Sequence, residues 1–266
     1  MSGETDLARL LAGMAPEVVP GAFVFATGDP PPGAEVLATV VEAEGRSLVL
    51  RQEDAAGLDA DGPFGWITLT VHSSLDAVGL TAAVATALAD RSIPCNVIAG
   101  RHHDHLLVPL DRVDEAVRAL RAATVVLEEV DPLAPDAQAA LAAYFAELDA
   151  RFPTGFDPGD APPSDVFVLL RAGDVVVGCG GLQHLGDGTI EVKRMWIHPG
   201  WRGLGLAARL LAHLEVLARA LGSTRVVLDT NGTLLEAIAL YERAGYVPIE
   251  RYNDNPYAER WFAKDL

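Results

Sequence analysis

Cysteine is nearly absent: the chain holds two, Cys95 and Cys179, far apart and in no metal-like spacing. That count excludes a disulfide scaffold. Basic residues are also scarce. Twenty Lys and Arg stand against 37 Asp and Glu, a formal net charge of -17. Such a chain repels polyanions at long range, which argues against nucleic acid or an anionic membrane as partner. No uninterrupted apolar stretch approaches the ~18 residues that cross a bilayer, so no membrane span is expected. The start, MSGETDLARL, lacks the basic segment and long apolar run of a secretory leader. A cytoplasmic protein is therefore expected. Repeats, low-complexity tracts and a Ser/Gly-rich linker are missing too. The length of 266 residues, half of them hydrophobic, fits two ordinary domains that abut.

What is present divides into residues 1–123 and 124–266. In the first part, strand signals fall at 22–26, 36–42, 47–51, 66–72, 94–99 and 105–108. Helix signals fall at 77–89 and 111–120, the second with Val113, Ala116, Val117 and Leu120 on one stripe. From 66 onward the order is strand-helix-strand-strand-helix, closed by a strand at 124–128, which suits a ferredoxin-like α+β sandwich. In the second part the spacing predicts helices at 136–151, 205–221 and 234–244. Strands are expected at 166–171, 175–182, 189–197, 225–229, 247–252 and 260–264. That order predicts a mixed sheet with helices on both faces, an α/β layer architecture.

One segment carries chemistry. In EVKRMWIHPGWRGLGLAARLL, Glu191–Leu211, a strand runs out, turns, and enters a good helix. Glycines in the turn let backbone approach a ligand. The helix start supplies unpaired N–H groups and a positive dipole end, so the turn suits an anion such as a pyrophosphate. Arg202 adds a donor for a charge-assisted bond. A dinucleotide fold needs a third glycine, and a Walker loop needs Gly-Lys-Ser/Thr; both are absent. From spacing alone, a tight turn that uses glycine for geometry only stays open.

Arg202-x-x-Gly205-x-Ala207 resembles the acyl-CoA pyrophosphate signature of the GNAT superfamily of N-acetyltransferases. The resemblance runs from about Val125 to Leu266. It includes the entering strand KRMWIHP and the later helix LLEAIALYERAGY, with Tyr246 where the family has Phe. The terminal YNDNPYAERWFAKDL resembles a bacterial subgroup of the same family. The resemblance implies that an amine attacks acetyl-CoA directly and that no metal takes part. It implies that the strand ending at Met195, Trp196 and Ile197 pairs with the pantetheine arm. The amides of Gly203, Leu204, Gly205, Leu206 and Ala207 are then expected to hold the pyrophosphate, with Asn231 a further contact or a plain turn-former.

An amine nucleophile must lose a proton. Glu191 stands where several family members carry a glutamate base; the alternative is a solvated strand-end carboxylate. With period-2 alternation, Glu191, Lys193, Met195 and Ile197 are expected to share one face, and Lys193 to lower the Glu191 pKa. Tyr241 matches the family tyrosine that protonates the departing thiolate; the alternative is a core aromatic. The helix at 136–151 with Phe152, Phe156 and Asp157, and the segment with Asn253, Asp254, Asn255 and Tyr257, are expected to wall the acceptor. Asp157, Asp160 and Asp254 would suit a cationic amine.

In the first part, HSSLDAVGLTAAVATALADRSIPCNVIAG resembles ACT domains over about Gly65–Leu120, with a degenerate half before it. The resemblance implies a small effector, often an amino acid, and paired sheets in a homodimer. Ser73, Ser74, Val78, Gly79 and Leu80, with Asn96 and Val97, are the implied effector contacts. A domain that only docks or dimerises is the alternative. His102, His103 and His105 read as a polar hairpin end and not as metal ligands. Together these features predict an acetyl-CoA-dependent N-acetyltransferase acting on a small amine or amino acid. A protein lysine acetyltransferase under amino-acid control, or a non-catalytic acyl-CoA sensor, are the other readings.

Overall fold

A computed structural model of the chain describes residues 3–159 and 163–266, so Asp160 lies outside the described residues. The chain divides into two compact units, Met1–Val125 and Val126–Leu266.

The first unit runs α1 (Leu7–Gly13), β1 (Pro16–Thr27), β2 (Val36–Glu42), β3 (Gly45–Arg51), β4 (Asp59–Leu69), α2 (Leu80–Ala89), β5 (Asn96–Ala99), β6 (Asp104–Pro109) and α3 (Val113–Ala123). Its six strands form an antiparallel sheet in the order β2-β3-β1-β4-β6-β5. Helix α1 was not expected, since seven residues are too few for a periodic signal. Asp6 caps it by accepting from the Arg9 amide. Strand β1 is longer than the 22–26 expected, with Pro20 and Gly21 sitting where its register with β4 shifts between Val19 and Phe23. Alternation then sorts the core. Ile67, Leu69, Leu106 and Val108 bury against Leu80, Val84 and Leu88 of α2 and Ala116 and Leu120 of α3. Trp66 and Leu107, of opposite parity, cluster with Phe23 and Val49.

The second unit runs β7 (Val126–Val130), α4 (Pro135–Arg151), β8 (Val166–Ala172), β9 (Val175–Gly186), β10 (Thr189–Ile197), α5 (Leu206–Ala220), β11 (Arg225–Thr230), α6 (Leu235–Arg243), β12 (Val247–Pro248) and β13 (Arg260–Asp265). The expectation that 124–128 closes the first sheet is corrected. Strand β7 pairs with β8 at the edge of a seven-stranded sheet ordered β12-β13-β11-β10-β9-β8-β7. The strand expected at 247–252 stops at Pro248, because Tyr252 and Asn253 turn their side chains to a carboxylate on β10. Phe167, Leu169, Cys179 and Trp196 bury one face against Ala137, Ala140 and Leu141 of α4. On the other face, a side chain at Gly180 would meet Leu210 and Leu214 of α5 at 3.1 Å. Helices thus cover both faces.

Strand β10 contains the feature that shapes the site. Its antiparallel register with β9 runs Lys193↔Gly181 and then Trp196↔Cys179, three residues against two. Arg194 absorbs the extra residue in a left-handed conformation, φ 57°. Its carbonyl accepts from the Cys179 thiol at 3.5 Å. Parallel pairing with β11 covers only Thr189 to Glu191, after which the two strands part. The expected common face of Glu191, Lys193, Met195 and Ile197 is therefore corrected. Past the bulge, Trp196 continues the Glu191 face, opposite Cys179, and Ile197 falls on the other.

Gly178 lets β9 follow this bend. A Cβ there would lie 2.7 Å from the Trp196 carbonyl oxygen and 2.8 Å from Ile197 Cδ1. Since the first neighbour is backbone, Gly178→Ala should cost about 1–3 kcal/mol through overpacking. Urea unfolding of the second unit should show a lower midpoint at unchanged slope. An unshifted midpoint would mean that the bend relaxes freely.

Candidate functional site

Where β10 leaves β11, a cavity of about 380 Å³ opens between β10, α4, α6 and the start of α5. Gly203 and Gly205 lie at one end with φ of 76° and 78°. A Cβ at either would meet nothing within 4 Å. No protein neighbour excludes a side chain there; the left-handed backbone calls for glycine, and open space is left before the amides. Gly205 caps α5, so the helix start and its partial positive charge face the same end. Such an arrangement of glycines and helix start has the form that suits an anion.

Of the expected contact residues, Met195, Trp196, Ile197, Arg202, Gly203, Gly205, Leu206, Ala207 and Tyr241 line this cavity. Leu204 is buried and Asn231 is elsewhere. The Asn231 side chain holds a turn: its Oδ1 accepts from the Thr233 amide at 3.0 Å, and its Nδ2 donates to the Tyr257 carbonyl at 2.8 Å. Arg202 donates through Nε to the Ile197 carbonyl at 2.9 Å and through its terminal nitrogen to Glu147 at 2.5 and 2.6 Å.

Tyr241 is 7% exposed, and burial followed by the Asp229 charge pushes its hydroxyl well above the ordinary phenol value. It stays a protonated donor. Tyr144 of α4, on the cavity wall, is raised in the same way, by burial first. Neither Tyr144 nor its neighbour Glu147 was singled out in the sequence. Their three-residue spacing on one helix face was the available signal, and it is shared with ordinary core residues.

Glu191 is 2% exposed and lies outside the cavity lining. Its Oε1 accepts from Tyr252 Oη at 2.7 Å and Asn253 Nδ2 at 3.2 Å, and Oε2 pairs with Lys193 at 2.9 Å. Asn253 donates the same amide to Asp229 at 2.5 Å, and Asn255 donates to Asp229 at 3.0 Å. The Asn-Asp-Asn turn is thus fastened onto two carboxylates of neighbouring strands. Burial, then the Glu191 charge, raises the Asp229 pKa against the lowering effect of the two asparagines. Asp229 escaped the sequence reading because it looked like a strand end. Phe152, Phe156 and Tyr257 cluster, with ring centroids of Phe156 and Tyr257 at 4.7 Å, and Asp157 donates its amide to Tyr257 Oη at 2.9 Å. Asp254 is exposed and pairs with Arg251 at 3.0 Å.

In the first unit, the Ser74 amide donates to the Glu4 carbonyl at 2.9 Å and its hydroxyl accepts from the Asp76 amide at 3.3 Å. Ser73 bridges to Glu4, Val78 is exposed, Gly79 opens α2, and Leu80 is buried in the core. Asn96 and Val97 lie on edge strand β5, with β6 between it and β4. His105 accepts through Nδ1 from Trp66 Nε1 at 3.1 Å, and His103 lies against the Val71 carbonyl at 3.5 Å.

The raised Asp229 pKa has a stability consequence. The folded state holds that proton more tightly than the unfolded chain, so this contribution falls as pH rises from the ordinary Asp value to the raised one. Relative to Asp229→Asn, the natural protein should therefore lose stability across that window. Urea unfolding of both proteins at its two ends measures this, and a pH-independent difference between them would refute it.

Comparison with known proteins shows the family. Residues 128–246 match the acetyltransferase (GNAT) family, and residues 2–65 and 62–122 each match an ACT domain, the first of them where a degenerate half was expected. The chain is 31% identical over 112 residues to the N-alpha-acetyltransferase RimI of Mycobacterium tuberculosis, covering 38% of this chain and 69% of that protein. It is 36% identical to the IAA acetyltransferase of Azospirillum brasilense, covering 36% of this chain. The chain spans 65% of that protein and 60% of an uncharacterized N-acetyltransferase of Schizosaccharomyces pombe. A solved structure of a Klebsiella pneumoniae acyl-CoA N-acyltransferase is 28% identical, covers 53% of this chain and 97% of its own, and superposes with a TM-score of 0.45. Among the described residues, no helix is long and apolar enough to cross a membrane. The chain belongs to the GNAT acetyltransferase family through its second unit, which follows two ACT-matched segments.

Proposed function

We propose that the second unit transfers an acetyl group from acetyl-CoA to the amine of a small molecule or amino acid. The observation that carries this reading is the cavity in the parted strands, with a glycine cradle at one end and the buried hydroxyl of Tyr241 on its wall. The cradle amides and Arg202 hold the pyrophosphate. The β10 backbone at Met195–Ile197, no longer paired with β11, is open to the pantetheine arm. The amine gives its proton to a carboxylate, directly or through water, and its lone pair attacks the thioester carbonyl. The C–S bond then breaks, and the thiolate takes the proton of Tyr241.

The base role fits the Glu191–Asp229 pair better than Glu191 alone. Both Glu191 oxygens are occupied, one by an ammonium. Both Asp229 oxygens are bonded as well, but by the side-chain amides of Asn253 and Asn255, and burial raises its pKa above the ordinary Asp value, the direction a general base needs. Glu191 then acts as the anchor that holds Asn253. Residues 1–123 are the proposed regulatory part and 124–266 the catalytic part, with an amino acid as the class of effector. Ser73–Leu80 supply the turn that such a ligand would meet.

Calorimetry with acetyl-CoA and release of free thiol on a panel of primary amines and amino acids test the reading. Tyr241→Phe and Asp229→Asn should each lower kcat on the order of 100-fold while sparing acetyl-CoA affinity. Binding of acetyl-CoA with no thiol release on any amine would favour a sensor over an enzyme. An amino acid that raises the unfolding midpoint would support the effector role, since a ligand of the folded state stabilises it by mass action.

A further inference from the structure

The cavity mouth carries an ion-pair chain of which the acetyl-donor reading uses only Arg202. Arg151 closes α4 and Glu236 opens α6, so their 2.6 Å contact ties together two helices that wall the cavity. Arg151 also lies 3.4 Å from Glu147, which in turn holds Arg202. All four side chains line both the enclosed cavity and the open hollow outside it. The chain Glu236–Arg151–Glu147–Arg202 is thus a partition at the entrance.

We propose that Arg151 is a phosphate-binding residue of this site, held in reserve by Glu236. The inference rests on the acetyl-donor reading and adds to Arg202 of the turn a second arginine, from helix α4. In the partition two cations are covered by two carboxylates, and an arriving phosphate meets Glu147 and Glu236. On a chain of net charge -17 the approach of a polyanion needs a cation uncovered at that point.

The two carboxylates are not equally easy to displace. Glu147 has a side-chain exposure of 21% and is bonded by Trp196 Nε1 at 2.8 Å as well as by the two arginines. Glu236 is 60% exposed, and such pairs are marginal in water. The Arg151–Glu236 contact therefore opens first. A phosphate offers the guanidinium more charge and a bidentate geometry in exchange. Binding swaps a carboxylate for a phosphate on the same arginine.

Calorimetry on the full chain with acetyl-CoA and with S-acetyl-pantetheine, which has the same thioester and arm but lacks the nucleotide and its phosphates, tests this. Arg151→Gln should weaken acetyl-CoA binding about tenfold, flatten its salt dependence, and leave S-acetyl-pantetheine unchanged. Arg151→Lys should restore part of the loss, and Glu236→Gln should tighten acetyl-CoA binding. Unchanged acetyl-CoA affinity in Arg151→Gln, or equal weakening of both ligands, overturns the proposal and leaves Arg151 a wall residue. Failure of the natural protein to bind acetyl-CoA would instead remove the donor reading itself.

Discussion

The site depends on one extra residue in β10. A left-handed backbone at a non-glycine residue costs roughly 1–2 kcal/mol, and Arg194 carries that strain in the middle of a central strand. The bulge lets β10 keep its ladder with β9 while it abandons β11 after Glu191. Two parallel strands that part inside a sheet leave backbone groups without a ladder partner, and buried groups of that kind need one. A ligand arm with its own amides is a suitable partner. The same bend brings Trp196 onto the α4 face, where it donates to Glu147 and so helps to position the charges at the mouth.

Below the parting point the sheet is locked, and this locking organises the far side of the site. Glu191 and Asp229 stand on the two strands just before and after they separate. Buried carboxylates of like charge disfavour one another. Asn253 answers this by donating to both, with Tyr252 and Lys193 on Glu191 and Asn255 on Asp229. Trp261 of β13 donates through Nε1 to the side-chain Oδ1 of Asn253 at 3.0 Å. The C-terminal turn is therefore tied to the catalytic strands by side chains, which explains why it leaves the strand geometry after Pro248.

Regular elements with one buried face were legible: β10 and the helices α4, α5 and α6 follow directly from alternation and 3.6-residue spacing. The glycine cradle was legible because Gly203 and Gly205 are required by backbone conformation, which a local motif records. The bulge was not. Nothing in Lys-Arg-Met marks a left-handed arginine, so the period-2 reading carried Glu191 onto the same face as Met195 and Ile197. Asp229, Tyr144 and Glu147 were hidden for another reason. Each looks ordinary within its own element and becomes distinctive only beside residues far away in the chain, as Glu147 does beside Arg202. In the first unit, the degenerate half expected before Gly65 corresponds to the first of the two ACT-matched segments, whose long strands carry Pro20-Gly21 and Gly62-Pro63 within them.

Composition set a problem that the local structure resolves. A strongly acidic chain is a poor long-range attractor for a ligand with several phosphates. Screening confines that repulsion to about 8–10 Å at ordinary salt, so the balance is decided by the groups at the entrance itself. There the protein offers backbone amides and a helix dipole, which carry no side-chain charge and cannot be neutralised by a neighbouring glutamate. Arg151 and Arg202 at the mouth are both paired with carboxylates, Arg202 with backbone as well, so neither stands as a bare cation in the free protein. Anion binding in this setting works by exchange of partners, and the cradle supplies the part of the affinity that needs no exchange.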